Sequence, residues 1–336
     1  MTNLPDIIRA DFPCKKIVIV GDLVADQFLH GTIARVSREA PVFILRHNET
    51  ETLPGGAANA AVNVASLGGA AVLIGVIGND LNGGALLRKL QTSSVDCRYI
   101  ISSDHYQTTT KVRVLAGQYY APRQQVIRID YENTEQINDG LRNQIKENFV
   151  AAARDADAII VSDYDYGAAN SEIAAIAGRI AADKKIPLLV DSRFNLKDFH
   201  GATSATPNQE EVEQILGANF TEQNCIELCE TLGYESLLVT RGNLGMLLIE
   251  NNKPPVSIAA VGAKEPVDVT GAGDTVIAAY ALGLASNLSF ADAAHLANHA
   301  GGIVVMKKGT ASVGADELIE SLSKNTPGKH QKQAVL

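Results

Sequence analysis

Near the carboxyl end of the chain, the stretch Asp268–Thr275 places two glycines around an alanine, so no large side chain keeps a ligand from the backbone. The apolar residues 276–282 predict a helix whose free N–H groups and positive dipole end point at this turn and attract anionic oxygen. Asp274 can accept a proton from a hydroxyl there, while the amides of the turn hold the group under attack. These amides belong to Gly271, Ala272 and Gly273. Taken alone, the motif is equally compatible with a helix-entry turn that Asp274 only caps.

A second group of polar residues suits the hydroxyls of a sugar. Paired glycines, Gly55 and Gly56, open a predicted Ala-rich helix whose first turns, which we expect to be exposed, carry Asn59 and Asn63. The two asparagines lie one turn apart and share a face, and amide side chains both donate and accept hydrogen bonds, as a polyol does. Asp26, which follows the first predicted strand, can add charge-assisted bonds to hydroxyls. An Ala-rich packing helix with asparagines near its start is the alternative.

Two basic residues, Lys111 and Arg113, point to the same face of a predicted strand because they are two positions apart. The segments 108–115 and 125–130 alternate polar with apolar residues, as half-exposed antiparallel strands do. Together with a short predicted strand at 41–46, they predict a small sheet inserted between core elements. The two bases can grip one phosphate group, and a pair of solvated surface bases is the alternative.

The elements that must position these residues alternate regularly between strand and helix, which predicts a mostly parallel sheet with helices on both faces. Strands are predicted at 16–22, 71–78, 158–163, 187–191, 236–240 and 245–249. Asp22 ends the first of them and, taken alone, is predicted to be a solvated loop acid. The fold class is therefore α/β with three layers, in one domain over 1–336. The inserted sheet forms a lid from about 27–50 and 99–131, and 325–336 is a polar, disordered tail.

Composition excludes several classes of protein. The 336 residues are 46% hydrophobic and 20% charged, which predicts a soluble globular protein with a sizeable core. A net charge of −9 argues against nucleic-acid or anionic-membrane partners, which require basic patches. A cytoplasmic location is expected, because no basic leader and no run of about 18 apolar residues is present. The four cysteines are predicted to be thiols and not metal ligands.

A third polar pair lies at the start of a further predicted helix. Asn208 and Glu211 are three residues apart on one face. An amide and a carboxylate at this spacing can order water around a magnesium ion without binding the ion directly. An ordinary capping box is the alternative, and the sequence alone favours it.

With these motifs placed, the chain resembles the ribokinase (PfkB-type) family of sugar kinases over roughly residues 15–320. Two signatures, 54–69 and 268–281, stand in the order expected for that family. Further segments are similar to the kinase half of bacterial heptose-phosphate kinase/adenylyltransferases. These segments are 21–26, 34–42, 54–59, 110–114, 127–130, 161–164 and 239–241. The nucleotidyltransferase half and its His-x-Gly-His motif are absent, so we expect a free-standing kinase.

The resemblance implies a ribokinase-like fold and transfer of the ATP γ-phosphoryl group to the 1-hydroxyl of D-glycero-β-D-manno-heptose 7-phosphate, in the synthesis of a lipopolysaccharide precursor. Asp274 is then the base, and Asp26, Gly55, Gly56, Asn59 and Asn63 hold sugar hydroxyls. The phosphate already on the sugar is assigned to Lys111, Arg113 and Arg128. The nucleotide is bordered by Arg193, Thr240, Arg241, Gly242, Gly245 and Asn298. Magnesium is held by ATP, with Asn208 and Glu211 ordering its waters, and a requirement for a monovalent cation stays open.

Three departures from the family pattern make the identity of the sugar less certain than the kinase chemistry. Asp191-Ser192-Arg193 stands where relatives carry Asp-Pro-Lys, 163–167 replaces a Tyr-x-Lys-Gly motif, and 118–122 resembles an insertion. A family kinase for another sugar, sugar phosphate or nucleoside is therefore one alternative, and a non-enzymatic sugar- or nucleotide-sensing protein is another. A dinucleotide-dependent oxidoreductase is disfavoured, since no G-x-G-x-x-G follows the first strand. A homodimer joined through the edges of the lid is expected.

Overall fold

The computed structural model of the chain describes residues 3–118, 123–133, 137–262 and 265–324. Within these ranges the strands are β1 Lys16–Gly21, β2 Leu23–Val36, β3 Phe43–Gly56, β4 Ala70–Gly78, β5 Asp96–Ser103, β6 Thr110–Gly117, β7 Gln124–Tyr131, β8 Ala158–Asp163, β9 Leu188–Ser192, β10 Ser204–Ala205, β11 Ser236–Thr240, β12 Met246–Glu250 and β13 Val256–Ile258. The helices are α1 Leu4–Ala10, α2 Ala57–Ser66, α3 Leu81–Thr92, α4 Asp139–Ala152, α5 Ser171–Lys184, α6 Gln209–Leu216, α7 Glu222–Leu232, α8 Ala272–Ala285, α9 Phe290–Val304 and α10 Ala315–Lys324. Short 3₁₀ turns occupy Phe12–Cys14, Ala153–Asp155, Leu196–Asp198 and Gly242–Leu244.

The larger sheet has nine strands in the described part of the chain, in the order β13-β12-β11-β10-β9-β8-β1-β4-β5. All neighbours from β11 to β5 are parallel, and β12 and β13 add an antiparallel edge. The carboxyl ends of the parallel strands therefore lie along one edge, where open α/β sheets bind ligands. The expected mostly parallel sheet is confirmed.

Helices cover both faces of this sheet, and alternate residues of the interior strand β1 therefore enter two separate cores. Ile17 and Ile19 pack with α2, α8 and α9, whereas Val18 and Val20 pack with α4, α5 and α7. Helix α8 is buried on all sides from Asp274 onward, between α2, α9 and the sheet. Its amino end, which carries the glycine turn, is thereby fixed over the sheet. No helix in the described ranges is long and apolar enough to cross a membrane.

A separate small sheet has the strand order β3-β2-β6-β7. The pairs β2–β3 and β6–β7 are antiparallel, and β2–β6 is parallel. A single residue, Asp22, separates β2 from β1 of the larger sheet, and α2 starts at Ala57, directly after β3 ends. The small sheet is thus a direct continuation of two core elements.

The expected boundaries of the lid need correction. Residues 99–103 belong to β5, which pairs with β4 in the larger sheet, because Ile100 packs into one core and Ile101 into the other. The short strand expected at 41–46 is the start of β3, which continues to Gly56. Most of the 118–122 insertion and the whole 325–336 tail lie outside the described residues. Cys225 and Cys229, both on α7, are buried free thiols, as expected.

Candidate active site

Asp274 lies in the first turn of α8 and is 3% exposed. Its two carboxylate oxygens have different partners: the Asn59 amide donates to Oδ2 at 2.8 Å, and the Tyr164 hydroxyl donates to Oδ1 at 2.8 Å. Burial raises the pKa of Asp274 to about 7, although both donors act to lower it. A carboxylate with a pKa near neutrality is suited to accept a proton at physiological pH.

The glycine turn before Asp274 is shaped by its closeness to Asn59. Gly271 has φ +76°, and a Cβ there would lie 2.4 Å from Asn59 Nδ2, which donates to the Gly271 carbonyl at 3.3 Å. Only glycine fits this backbone and this contact. A Cβ on Gly273 would meet nothing within 4 Å, so the backbone there faces open space. The Ala272 amide donates to the Val269 carbonyl at 3.2 Å, so in this structure it is not directed at a ligand as expected.

The expectation that Asn59 and Asn63 form an exposed face of α2 is wrong. Asn59 is 1% and Asn63 0% exposed, because α2 packs beneath α8 in the core. The Asn63 amide donates to the Asn59 carbonyl and to Asn59 Oδ1, and its own Oδ1 accepts from the Val313 amide. Asn63 therefore orients Asn59 and does not face a sugar, contrary to the expectation.

The expected joint grip of Lys111 and Arg113 on one phosphate also needs correction. The Arg113 guanidinium forms an ion pair with the buried carboxylate of Asp26 and lies over the Phe28 ring. The register explains the contact with the ring, since Phe28 on β2 lies directly opposite Arg113 on β6, whereas Asp26 lies opposite Lys111 and pairs with Arg113 diagonally. Asp26 Oδ2 would lie 2.5 Å from a Cβ on Gly55, so the carboxylate is packed against the glycine pair.

Lys111 and Arg128 lie beside this pair on the same small sheet. Arg128 makes two hydrogen bonds to Asp130, and it stands opposite Arg113 across β6 and β7. Lys111 is 6% exposed, and burial followed by the charges of Arg193 and Arg128 lowers its pKa. Like charges that lower the pKa of a buried lysine favour a bound anion at this position.

Sequence reasoning noted 163–167, the loop after β8, only as a departure from the family pattern and assigned no role to its tyrosines. The Lys111 ammonium lies 5.6 Å from the centre of the Tyr164 ring and 5.4 Å from that of Tyr166, and the Tyr166 hydroxyl donates to Glu132 at 2.6 Å. Tyr164 thus contacts both Lys111 and the Asp274 carboxylate. The position of this loop could have indicated a role, because it follows β8, which pairs in parallel with β1, and the two strands therefore end at the same edge of the larger sheet.

Asp22 holds this loop in place and is not the solvated acid that was expected. It is 1% exposed and accepts the backbone N–H groups of Tyr164, Tyr166 and Ala168 at 2.8, 3.0 and 2.8 Å. Burial raises its pKa to about 7, against the three donors. Two features bury Asp22: the chain continues from β1 into β2 without a loop, and the loop after β8 folds over the carboxylate.

Asn208 and Glu211, the pair expected to order water around magnesium, form a capping box. Asn208 Oδ1 accepts from the Glu211 amide at 2.9 Å, and Glu211 Oε2 accepts from the Asn208 amide at 2.8 Å. The described residues contain no group of three or more His, Cys, Asp or Glu side chains placed to ligate a metal directly. Burial, then repulsion from Glu211, Asp274 and Asp163, raises the pKa of Asp191 well above its ordinary value. Acids that repel one another in this way fit a cation held nearby through water or through a bound nucleotide.

Of the residues expected to border a nucleotide, Thr240 ends β11, and Arg241, Gly242 and Gly245 lie in the turn after it. Thr240 forms a backbone bridge with Asn208, and Arg241 donates to the Ser257 hydroxyl at 3.2 Å. The tight turn depends on Gly242, with φ +54°, and on Gly245, where a Cβ would lie 2.0 Å from the Ile258 carbonyl. Asn298 donates to the Ala259 carbonyl at 2.8 Å, and the Arg193 guanidinium lies 5.3 Å from the Phe194 ring centre. Arg193 is also close enough to Lys111 for its charge to lower the pKa of that lysine, so these residues and the group around Asp274 are neighbours along the sheet edge.

Comparison with known families gives one strong match. The family model described as "pfkB family carbohydrate kinase" matches residues 15–317. Among curated proteins, the chain is 39% identical over 316 residues to "Bifunctional protein HldE" of Marinomonas sp. (strain MWYL1). It is 40% identical over 317 residues to the protein of the same name from Shewanella piezotolerans (strain WP3 / JCM 13877). These alignments cover 92% and 93% of this chain, which spans only 64% of the length of each relative.

Solved structures match at the level of the fold. Arabidopsis thaliana ribokinase, complexed with ribose and ATP, has a TM-score of 0.70 at 20% identity, covering 92% of this chain and 98% of that one. Phosphofructokinase-2 from Escherichia coli, in complex with potassium, has a TM-score of 0.73 at 18% identity, with the same coverage. The ribokinase-like fold expected from the sequence is thereby confirmed.

Proposed function

The chain belongs to the pfkB family of carbohydrate kinases and is a sugar kinase, and we propose that it transfers the γ-phosphoryl group of ATP to the 1-hydroxyl of D-glycero-β-D-manno-heptose 7-phosphate. The observation that carries the phosphoryl-transfer chemistry is the buried Asp274 carboxylate at the amino end of α8, held by Asn59 and Tyr164. The heptose phosphate is supported by the similarity to the relatives named HldE and by the sequence segments shared with heptose-phosphate kinases. The reaction is placed in the cytoplasm, in lipopolysaccharide precursor synthesis.

Asp274 acts as the base in this proposal. It accepts the proton of the attacking hydroxyl, while the positive end of α8 and the open backbone at Gly273 stabilise charge on the transferring group. A nucleophile and a phosphoryl group held in line need little further assistance, because positioning and electrostatics dominate phosphoryl transfer. The small sheet covers this position and limits the access of water, which suppresses hydrolysis of ATP.

Lys111 is the principal group for the phosphate that the sugar already carries. It is buried beside Tyr164 and Tyr166, and its charge is opposed by Arg193 and Arg128. A phosphate dianion would relieve this repulsion. Asp26 and Arg113, joined as an ion pair next to Gly55, are placed to contact sugar hydroxyls, the carboxylate as acceptor and the guanidinium as donor.

ATP and magnesium are the proposed cofactors. Magnesium supplies charge neutralisation of the β- and γ-phosphates. Asp191 and Glu211, whose pKa values are both raised, would be stabilised in their charged forms by magnesium held nearby through its water, with Asn208 capping the helix of Glu211. The turn between β11 and β12 and the loop held by Asn298 would hold the nucleotide.

A homodimer through the small sheet is proposed as the assembled form. Every residue of β7 is exposed, and large apolar side chains on the small sheet face solvent. These include Phe43, Val126, Ile127, Ile129 and Tyr131, with exposures of 42–58%. Exposed apolar side chains on an edge strand favour association. Light scattering should give the mass of a dimer, and Ile127→Lys should shift it to a monomer, whereas a wild-type monomer would overturn the proposal.

The function is tested by coupled ADP release with ATP and magnesium. Heptose 7-phosphate is compared with fructose 6-phosphate, ribose and fructose, and Asp274→Asn is the control. Strong preference for the heptose phosphate, with turnover lost in the variant, supports the proposal. Turnover of another sugar keeps the kinase and overturns the heptose assignment. If no sugar gives ADP release but calorimetry shows binding of sugar or nucleotide, the enzymatic assignment is overturned in favour of a sensing protein.

A further inference from the structure

Tyr164 connects three parts of the site that the sequence motifs keep separate. Its hydroxyl donates to Asp274, its ring lies beneath the Lys111 ammonium, and the same ring would lie 3.3 Å from a Cβ on Gly56. The sequence motifs assign it no role. We propose that Tyr164 is a positioning residue for the base, which fixes the Asp274 carboxylate in the orientation that receives the acceptor hydroxyl. This inference rests on the proposed function of Asp274.

The orientation of a carboxylate is defined when each of its oxygens has a donor from a different element. Asn59 on α2 donates to Oδ2, and Tyr164 on the loop after β8 donates to Oδ1, both at 2.8 Å. With both bonds in place, the carboxylate plane cannot rotate. The remaining lone pairs of Asp274 then point in fixed directions, which is what in-line attack requires.

Tyr164 is itself held on three sides. Its backbone N–H donates to the buried Asp22 carboxylate at 2.8 Å, its ring packs against the backbone of Gly56, and the Lys111 ammonium lies over it. Asp22 binds two further amides of the same loop, so the loop is anchored as a unit. The tyrosine hydroxyl is therefore presented to Asp274 by a rigid support.

The charges around Asp274 show that Tyr164 serves as a donor and not as a second base. Burial, then the charges of Asp274 and Asp191, raises the pKa of Tyr164 well above its ordinary value, so the hydroxyl keeps its proton. The other groups that face Asp274 are Asp26 on β2, which raises its pKa, and Lys111 on β6, which lowers it. The charge of Asp274 also raises the pKa of Asp191, at the end of β9. Removing the hydroxyl donor should raise the pKa of Asp274, because the ionised carboxylate loses a hydrogen bond.

The test compares pH profiles of kcat/KM for the wild-type chain, Tyr164→Phe and Tyr166→Phe, with the best substrate from the sugar panel. Both variants keep their ring beneath Lys111, but only the first removes a hydroxyl bonded to Asp274. The acid limb should move upward by about one pH unit in Tyr164→Phe and stay in place in Tyr166→Phe. An unchanged limb in Tyr164→Phe, or an equal shift in both variants, would overturn the proposal.

A second variant and a second measurement keep the test independent of folding defects and of the substrate. Replacing Tyr164 by 3,5-difluorotyrosine keeps the ring and the hydroxyl but strengthens the donor, so the acid limb should move downward. Carboxyl NMR titration, with the Asp274 signal assigned by its loss in Asp274→Asn, should show the same shifts without turnover. If Asp274→Asn retains turnover, the base assignment itself fails. If that variant is inactive while Tyr164→Phe shifts neither the profile nor the titration, the tyrosine inference alone fails.

Discussion

Asn59 and Asp274 are 215 positions apart in the chain, and the Asn59 amide donates to Asp274 Oδ2 at 2.8 Å. The same amide reaches the Gly271 carbonyl, so one side chain of α2 holds both the glycine turn and the acid that follows it. The two signature motifs of the sequence are therefore two halves of a single site, joined at the packed interface of α2 and α8.

Asn59→Ala should remove this joint. The Asp274 carboxylate would lose the donor on Oδ2, its pKa would rise, and turnover at pH 7 should fall about tenfold or more. Unfolding free energy should drop by about 1–3 kcal/mol, because a buried acceptor is left with one donor fewer. The measurement is a double-mutant cycle with Asp274→Asn. Energies that add to within about 0.5 kcal/mol would show that the two side chains do not interact.

The two glycines of the turn should respond differently to alanine. Gly271→Ala forces a positive φ on a side chain that collides with Asn59, and should lower the unfolding free energy by about 1–3 kcal/mol. Gly273→Ala adds its methyl group to open space inside a helix, so thermal stability should be retained or slightly raised. Its turnover should nevertheless fall about tenfold or more, because the methyl group occupies the approach of the transferring group. Gly273→Ala with full activity would place the transferring group elsewhere.

Stability should depend on pH through Asp274. Its pKa is raised from 3.8 to about 7, so the folded state keeps a proton that the unfolded state has lost between these values. Wild-type stability contributed by this group therefore falls as pH rises from about 4 to about 7. Asp274→Asn lacks this loss, so its stability relative to wild type should rise over that range by a few kcal/mol. Urea denaturation at pH 5 and pH 8 measures the difference, and parallel pH dependence would contradict the buried, protonated acid.

Lys111→Met should weaken binding of the phosphorylated sugar. Loss of a buried cation that meets a phosphate should raise KM for that substrate about 10–100-fold, while KM for ATP is unchanged. Lys146→Met is the matched control, because Lys146 pairs with Glu172 on the surface, away from the small sheet. Equal KM values for the phosphorylated sugar in both variants would remove Lys111 from the phosphate site.

Much of the architecture follows from local sequence. Continuous β-branched runs such as Ile17–Val20 can only be buried on both faces, and their alternation with helices dictates a parallel sheet. The glycine pair at 55–56 and the turn at 271–273 can be recognised in the sequence, because few residues other than glycine permit such backbone geometry and such close approach. The position of Asp274 follows from the same turn.

The partners of the charged residues could not be predicted in the same way. Arg113 pairs diagonally with Asp26, although the register places Lys111 directly opposite Asp26, and no local pattern encodes this pairing. Asp22 is buried because a loop 142 positions further along folds over it. The Asn63 amide donates its hydrogen bonds to Asn59, because α2 is buried under α8. In each case the decisive neighbour is distant in sequence, and spacing along the chain carries no information about it.

The junctions between the two sheets have a mechanical consequence. The β2–β3 hairpin of the small sheet leaves the core at Asp22 and returns at Gly56, and these two junctions are adjacent, since the Ala57 amide donates to the Asp22 carbonyl at 3.1 Å. The ends of this hairpin therefore have little freedom to move relative to the core, because no loop separates them from β1 and α2. Asp22 anchors the loop of Tyr164, and the Tyr164 ring rests on Gly56. The two junctions and the support of Asp274 are thus one piece of structure, so a displacement of the β2–β3 hairpin at these points would be transmitted through Tyr164 to the Asp274 carboxylate.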